Sequence, residues 1–312
     1  MIYSSIFHFE VSTESSAESG RFNKAQNYAI QKYSTKEFDF IHEGKFKLFC
    51  LKDSIDEILF ETTDAIVLLF GSIKNFGELN EIIINHPNYK DLKAPKNVAE
   101  TIYRLFQLYN EEAFNLINGL FEFLIYDKST DTLKVFIDRF GINFCYFYSD
   151  ELGITGSSSM DLLLSTGIKR ELSRDGIDDY LSYRITQPPL TILQDIFKVP
   201  QGHYLEYSNE AILSSYIKFK DQIDGKNDDQ FFINRFANDF TDAVHDSFKM
   251  PNPCFTLSGG VDSSVIAKLA SDHSQVPIHT FNLSVGKRNY KDEFFSQKVA
   301  DQLNTSHHII RL

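Results

Sequence analysis

The chain has 312 residues, 42% hydrophobic, 24% charged and 14% aromatic, with 29 Phe, 15 Tyr and no Trp. This is a globular composition, long enough for two domains with a real core in each, and it excludes disorder over the whole length. With 31 Lys and Arg against 43 Asp and Glu the formal charge is −12, which argues against nucleic acid or an anionic membrane as a partner. No apolar stretch reaches the roughly 20 residues that span a bilayer, and MIYSSIFHFE has neither a basic segment nor a cleavage site. The expectation is a cytoplasmic protein. Cys50, Cys145 and Cys254 lie far apart in apolar runs and read as buried structural thiols.

In chain order, apolar runs predict strands at Ile2–Phe9, Phe46–Leu51, Ile66–Phe70, Leu120–Tyr126, Leu133–Ile137, Phe144–Tyr148 and His203–Tyr207. Helical spacing appears at Val98, Ile102, Leu105 and Tyr109, around Met160 to Leu164, and from Ile177 to Leu181. The polar stretch 218–230 (KFKDQIDGKNDDQ) reads as a linker between a domain at 1–217 and a second at 231–312. Phe232, Phe236, Phe240, Val244 and Phe248 then recur every fourth residue, predicting a helix of about five turns whose aromatic ridge packs into a core. Pro251 and Pro253 end it. Strands at Cys254–Leu257, Ile278–Leu283 and His307–Ile310 alternate with helices at Ser263–Ser271 and about Asp292–Leu303. Such alternation predicts a parallel sheet with right-handed crossovers. The chain therefore reads as α+β followed by α/β.

Between the first strand and first helix of that second domain lies Ser258-Gly259-Gly260-Val261-Asp262-Ser263-Ser264. Two glycines let the backbone turn tightly and present N–H groups at a helix N-terminus, where the dipole favours an anion. The hydroxyls of Ser258, Ser263 and Ser264 can add donors to a multiply charged guest such as pyrophosphate. The Gly-x4-Gly-Lys-Ser/Thr loop of ordinary ATPases is absent. A helix cap at Asp262 or Ser263 would need one residue of the heptapeptide and leaves the others unexplained.

This heptapeptide resembles the pyrophosphate loop of the ATP pyrophosphatases. Thr280-Phe281-Asn282-Leu283, Asp292-Glu293 and the stretch from Val299 to His308 resemble the synthetase domain of asparagine synthetase and its relatives. The stretch from Asn118 to Asp127 and Asp138-Arg139-Phe140-Gly141 resemble that family's glutaminase-type domain. The resemblance implies an N-terminal-nucleophile (Ntn) hydrolase-like domain of four αββα layers, then a partial parallel-sheet domain binding ATP and Mg²⁺. It places Ser258, Gly259, Gly260, Val261, Asp262, Ser263 and Ser264 at the phosphates, Leu257 and Leu283 beside adenine and ribose, and Asp262 near Mg²⁺. It leaves Asp138 and Arg139 as an ion pair fixing a turn and His203 as structural, and Asp178-Asp179, on a predicted helix, reads as a solvated surface. His307 and His308, adjacent in a strand, point to opposite faces and cannot share a metal.

Two departures bear on function. The glutaminase reaction needs an N-terminal cysteine as nucleophile, and the matching position is Ile2. The family's Asn-Gly-Glu-Ile stretch reads Phe70-Gly71-Ser72-Ile73, and its aspartate for the glutamine amine falls on Val98. Loss of one oxyanion donor alone costs about 100- to 1000-fold in rate. Glutamine hydrolysis is therefore expected to be absent, as in the β-lactam synthetases and lasso-peptide cyclases, which use an amine already in the substrate. The resemblance also stops at the third parallel strand, before the family's later acidic and basic motifs. The expectation is a glutamine-independent, AMP-forming amide ligase of a small-molecule or peptide carboxylate. A complementing synthetase chain, or a second copy meeting it through the incomplete sheet, completes its site. The opposing expectations are a catalytically inactive scaffold and a truncated piece of a longer enzyme.

Overall fold

The computed structural model describes residues 6–13, 20–34, 36–51, 59–89, 94–217, 228–249, 252–284 and 290–311. It divides into two compact units, Met1–Lys220 and Asp221–Leu312. The first begins with β1 (Phe7–Ser12), α1 (Gly20–Lys32), β2 (Phe38–Glu43), β3 (Phe46–Leu51), β4 (Leu59–Glu61), β5 (Ala65–Ile73), α2 (Phe76–Ile84) and α3 (Val98–Tyr109). It continues with β6 (Gly119–Asp127), β7 (Thr132–Ile137), β8 (Tyr146–Asp150), β9 (Gly153–Ser157), α4 (Met160–Ser165), α5 (Arg174–Tyr183), β10 (Phe197–Lys198), β11 (His203–Tyr207) and β12 (Ala211–Ser215).

These strands form two six-stranded sheets, ordered β10-β8-β9-β1-β3-β2 and β12-β11-β7-β6-β5-β4. Period-2 alternation decides which side chains meet. Phe7, Phe9, Val11 and Leu48 of the first sheet pack against Leu68, Phe70, Leu124 and Val135 of the second. The outer face of the first sheet takes α1 and α4 through Phe22, Ala25, Ala29, Phe49 and Leu162. The outer face of the second takes α2 and α3 through Leu79, Ile83, Ile102 and Leu105 against Val67, Leu69 and Phe123. The result is the four-layer αββα arrangement expected of an Ntn-hydrolase-like unit. α3 occupies Val98–Tyr109 because Asn97 is extended and its side chain accepts from the Glu100 N–H at 2.9 Å, capping the first turn.

The second unit holds α6 (Asp229–Asp246), β13 (Cys254–Thr256), α7 (Val261–His273), β14 (His279–Ser284), α8 (Tyr290–Leu303) and β15 (Ser306–Arg311). The strands pair in parallel in the order β13-β14-β15. One face is covered: Val244 and Phe248 pack with Phe255, Ala270 and Ile278, and Leu257 with Ala267 and Ala300. The greater part of the expected linker, 218–227, lies outside the described residues, and its last residues belong to α6, whose N-cap is Asp228.

Two expectations fail here for physical reasons. The aromatic ridge of α6 is not core throughout, since Phe232 is 52% and Phe236 68% exposed while Val244 is buried. Eighteen residues of helix run about 27 Å, and only the last turns lie over a sheet whose first strand has three residues. Cys254 is exposed, because inward Phe255 forces its neighbours in the strand to face outward. Cys50 and Cys145 are buried as expected, and burial pushes the Cys50 thiol up to about 12. No described helix is long and apolar enough to cross a membrane.

Candidate functional site

At the end of β13 the Leu257 N–H donates to the Phe281 carbonyl at 2.7 Å, the last backbone rung before the chain leaves the sheet. Ser258 and Gly259 then turn toward α7. Gly259 has φ +82°, and a Cβ there would lie 2.5 Å from the Ser296 nitrogen and 2.6 Å from Phe295 Cβ. Only glycine lets the loop close this tightly on α8. Gly260 is the N-cap residue of α7, and no side chain caps the helix. The unpaired donors and positive dipole end of a 13-residue helix therefore face the loop.

Hydroxyls line the same turn. Ser258 Oγ lies 3.0 Å from Ser263 Oγ and accepts from the Gly260 N–H at 3.3 Å. Ser263 and Ser264 donate to the Gly260 carbonyl at 3.2 and 2.7 Å. Each hydroxyl rotates, so these groups can exchange partners for the oxygens of an anion. Asp262 stands exposed in the first turn of α7. Among the described residues no group of three or more His, Cys, Asp or Glu is arranged to hold a metal. The loop offers a metal ion one carboxylate.

The structure brings Ser258, Gly259, Gly260, Val261, Asp262, Ser263 and Ser264 together in one turn. It does not bring together the side chains of Leu257 and Leu283. Thr256 is level with Phe281, so Leu257 faces the helices with Asn282, whereas Leu283 faces the opposite side of the sheet and is 56% exposed. Sequence reasoning assigned no role to two neighbours of the loop. One is Asn282, the lone amide in a strand that reads His-Thr-Phe-Asn-Leu-Ser. The other is the pair of Glu293 in the first turn of α8 and Arg311 at the end of β15, 3.0 Å apart. The hydrogen bond from Arg311, with a second from Ser284, holds the Glu293 carboxyl below the usual carboxylate range.

Other singled-out residues are structural. Thr280 Oγ1 is 2.9 Å from His307 Nδ1, while His308 stacks on Phe281 across the other face. Asp138 and Arg139 do not pair: Asp138 accepts the N–H groups of Phe121, Phe140 and Gly141, and Arg139 donates to the Asn115 carbonyl. The aspartate is buried and the arginine points outward, so backbone donors take the place of the expected ion pair.

In the first unit, Ile2 lies outside the described residues. Phe70 is 5% exposed and stacks on Phe7 at 4.8 Å in the core between the sheets. Gly71 keeps a glycine-only backbone, φ +123°, where a Cβ would meet the Leu120 carbonyl at 2.1 Å. Ser72 is exposed at the strand end. Val98 opens α3 and packs in the helix-side core. The second sheet separates Phe70 from Val98, so the two do not share a cavity.

A four-layer antiparallel unit joined to a parallel-sheet unit with a glycine loop defines an amidotransferase-type architecture. Residues 53–217, more than half of the chain, match the glutamine amidotransferase domain, and residues 235–312 match asparagine synthase. The chain belongs to the glutamine amidotransferase domain family, and its second unit is similar to asparagine synthase. It is 24% identical to glutamine-hydrolysing asparagine synthetase 3 of Bacillus subtilis over 233 residues, 67% of this chain and 37% of that protein. Against asparagine synthetase 1 of the same species it is 23% identical over 243 residues, 76% and 37% of the two chains. The chain thus spans a little over a third of these relatives' length. Among solved structures, the Bacillus subtilis glutamine phosphoribosylpyrophosphate amidotransferase complexed with ADP and GMP aligns with a TM-score of 0.46 and 10% identity, over 98% of this chain and 65% of that one.

Proposed function

We propose that the second unit binds ATP through the loop from Ser258 to Ser264 and serves an AMP-forming amide ligase that activates a carboxylate as its acyl-adenylate. The observation that supports this best is the uncapped N-terminus of α7, approached by a glycine turn that α8 forbids any larger residue to occupy. Polyphosphate oxygens would receive the helix N–H groups and the Ser258 and Ser263 hydroxyls. Mg²⁺ neutralises phosphate charge when bound, and Asp262 would add one oxygen to an ion held chiefly by the phosphates. On this reading a complementing chain would supply the remaining metal ligands and the cations for the α-phosphate.

The first unit, on this reading, does not hydrolyse glutamine. A phenyl ring wedged against Phe7 stands at the position of the oxyanion donor, and Ser72 at that of the following carboxylate. The amine is then one already present in the substrate, which places the chain nearer to the β-lactam synthetases and lasso-peptide cyclases. Ammonia release from glutamine should stay at the no-protein background, and Phe70→Asn should not raise it, because the nucleophile position still holds Ile2. Equilibrium dialysis with labelled ATP and Mg²⁺ should show retention by the same preparation. Ammonia release above background would contradict the first statement, and absence of ATP retention the second.

A further inference from the structure

The parallel ladder between β13 and β14 ends in an unusual way. After the Leu257 N–H has bonded to Phe281, a continuing ladder would give the Leu257 carbonyl to a backbone N–H of β14. Instead the side chain of Asn282 takes it, Nδ2 donating at 2.9 Å. A carbonyl satisfied by a side chain leaves the main chain free to diverge, and the divergence starts at the next residue, Ser258. Asn282 is 4% exposed, and its Oδ1 has no hydrogen-bond partner. A buried amide with one unpaired acceptor costs stability that an apolar residue of the same size would not. Its place beneath the loop is therefore better explained by what it holds than by packing.

We propose that Asn282 is the positioning residue of the phosphate loop: its amide ends the ladder at Leu257 and fixes the root from which Ser258, Gly259 and Gly260 present their donors. The proposal rests on the ATP reading for its consequence in binding, but the loop geometry it claims can be tested without a nucleotide. Asn282→Asp keeps the shape and, at neutral pH, removes the donor. Asn282→Leu removes both polar atoms. Asn282→Ser keeps a shorter donor.

Hydrogen exchange of the Leu257 and Ser264 amides, bonded to the Phe281 and Gly260 carbonyls at the two ends of the loop, should quicken about tenfold or more in the Asp and Leu variants and stay near native in the Ser variant. Mg-ATP affinity should fall about tenfold in the Asp and Leu variants. As pH drops from 8 to 5 the ratio of Asp-variant to native affinity should climb, because a buried carboxyl takes up a proton readily and regains an O–H for the Leu257 carbonyl. The Leu variant should show no such recovery. Asp262, Glu293 and His307, the titratable groups around the loop, are common to all the proteins and cancel in the ratio. Native loop exchange in both the Asp and Leu variants would overturn the proposal, as would an Asp deficit equal to that of Leu at every pH. Quickened exchange in variants of a native chain that binds no ATP would uphold the role of Asn282 and overturn the ATP reading alone.

Discussion

Gly259 is the residue on which the loop depends most directly. Its positive φ and its contact with the backbone of α8 leave no room for a methyl group, so Gly259→Ala should destabilise the second unit by about 1–3 kcal/mol. Urea unfolding of the full chain checks this; an unchanged midpoint would mean that α8 does not pin the loop. In the first unit the telling residue is His8. It is buried between α1 and the first sheet, with its ring 5.4 Å from Phe49 and Nε2 3.2 Å from Thr155 Oγ1. Burial lowers its pKa to about 3. The unfolded chain then binds the extra proton between the ordinary histidine value near 6.5 and about 3, so stability falls as pH drops through that window, by about 1.4 kcal/mol per unit. His8→Gln should lose stability less steeply than the native chain between pH 6 and 4; parallel losses would show His8 to be solvated. Gly259 was legible in the sequence because two glycines after an apolar strand have few other uses. His8 was not, since nothing in Phe-His-Phe-Glu reveals that both faces of β1 are covered.

At the level of elements, the departure at α6 makes its own prediction. Phe236→Ser should change the stability of the second unit by less than about 0.5 kcal/mol, and Val244→Ala should cost roughly 1–3 kcal/mol. Chemical denaturation of the two variants decides it, and the reverse order would restore the aromatic ridge to the core. Spacing located α6 correctly, but periodicity cannot say how much of a helix lies over its sheet. α3 was legible because its apolar spacing runs from Val98 to Tyr109, the bounds the structure gives it. α1 was missed because its buried stripe is one phenylalanine and two alanines among polar residues. β9, Gly-Ile-Thr-Gly-Ser, was missed because it gains its place from β1 and β8 on either side rather than from its own propensity.

For the whole molecule, two units with different physics share one chain. The first buries aromatic side chains between two antiparallel sheets and keeps a glycine-only backbone at Gly71 and a buried, backbone-bonded carboxylate at Asp138. The second arranges a parallel sheet so that a glycine turn and a helix N-terminus meet at the end of β13. Motif resemblance made the loop readable, because its residues are consecutive in the sequence. What holds the loop was not readable, because Asn282, Phe295 and Ser296 reach it from elements that only the fold brings together. The most direct test of the central claim is a calorimetric titration of Mg-ATP into the intact native chain and into Gly259→Ala, both shown to be folded. Saturable heat from the native protein, weakened about tenfold or more by the alanine, is the predicted result; no heat from the native protein, or equal affinity in both, would contradict it.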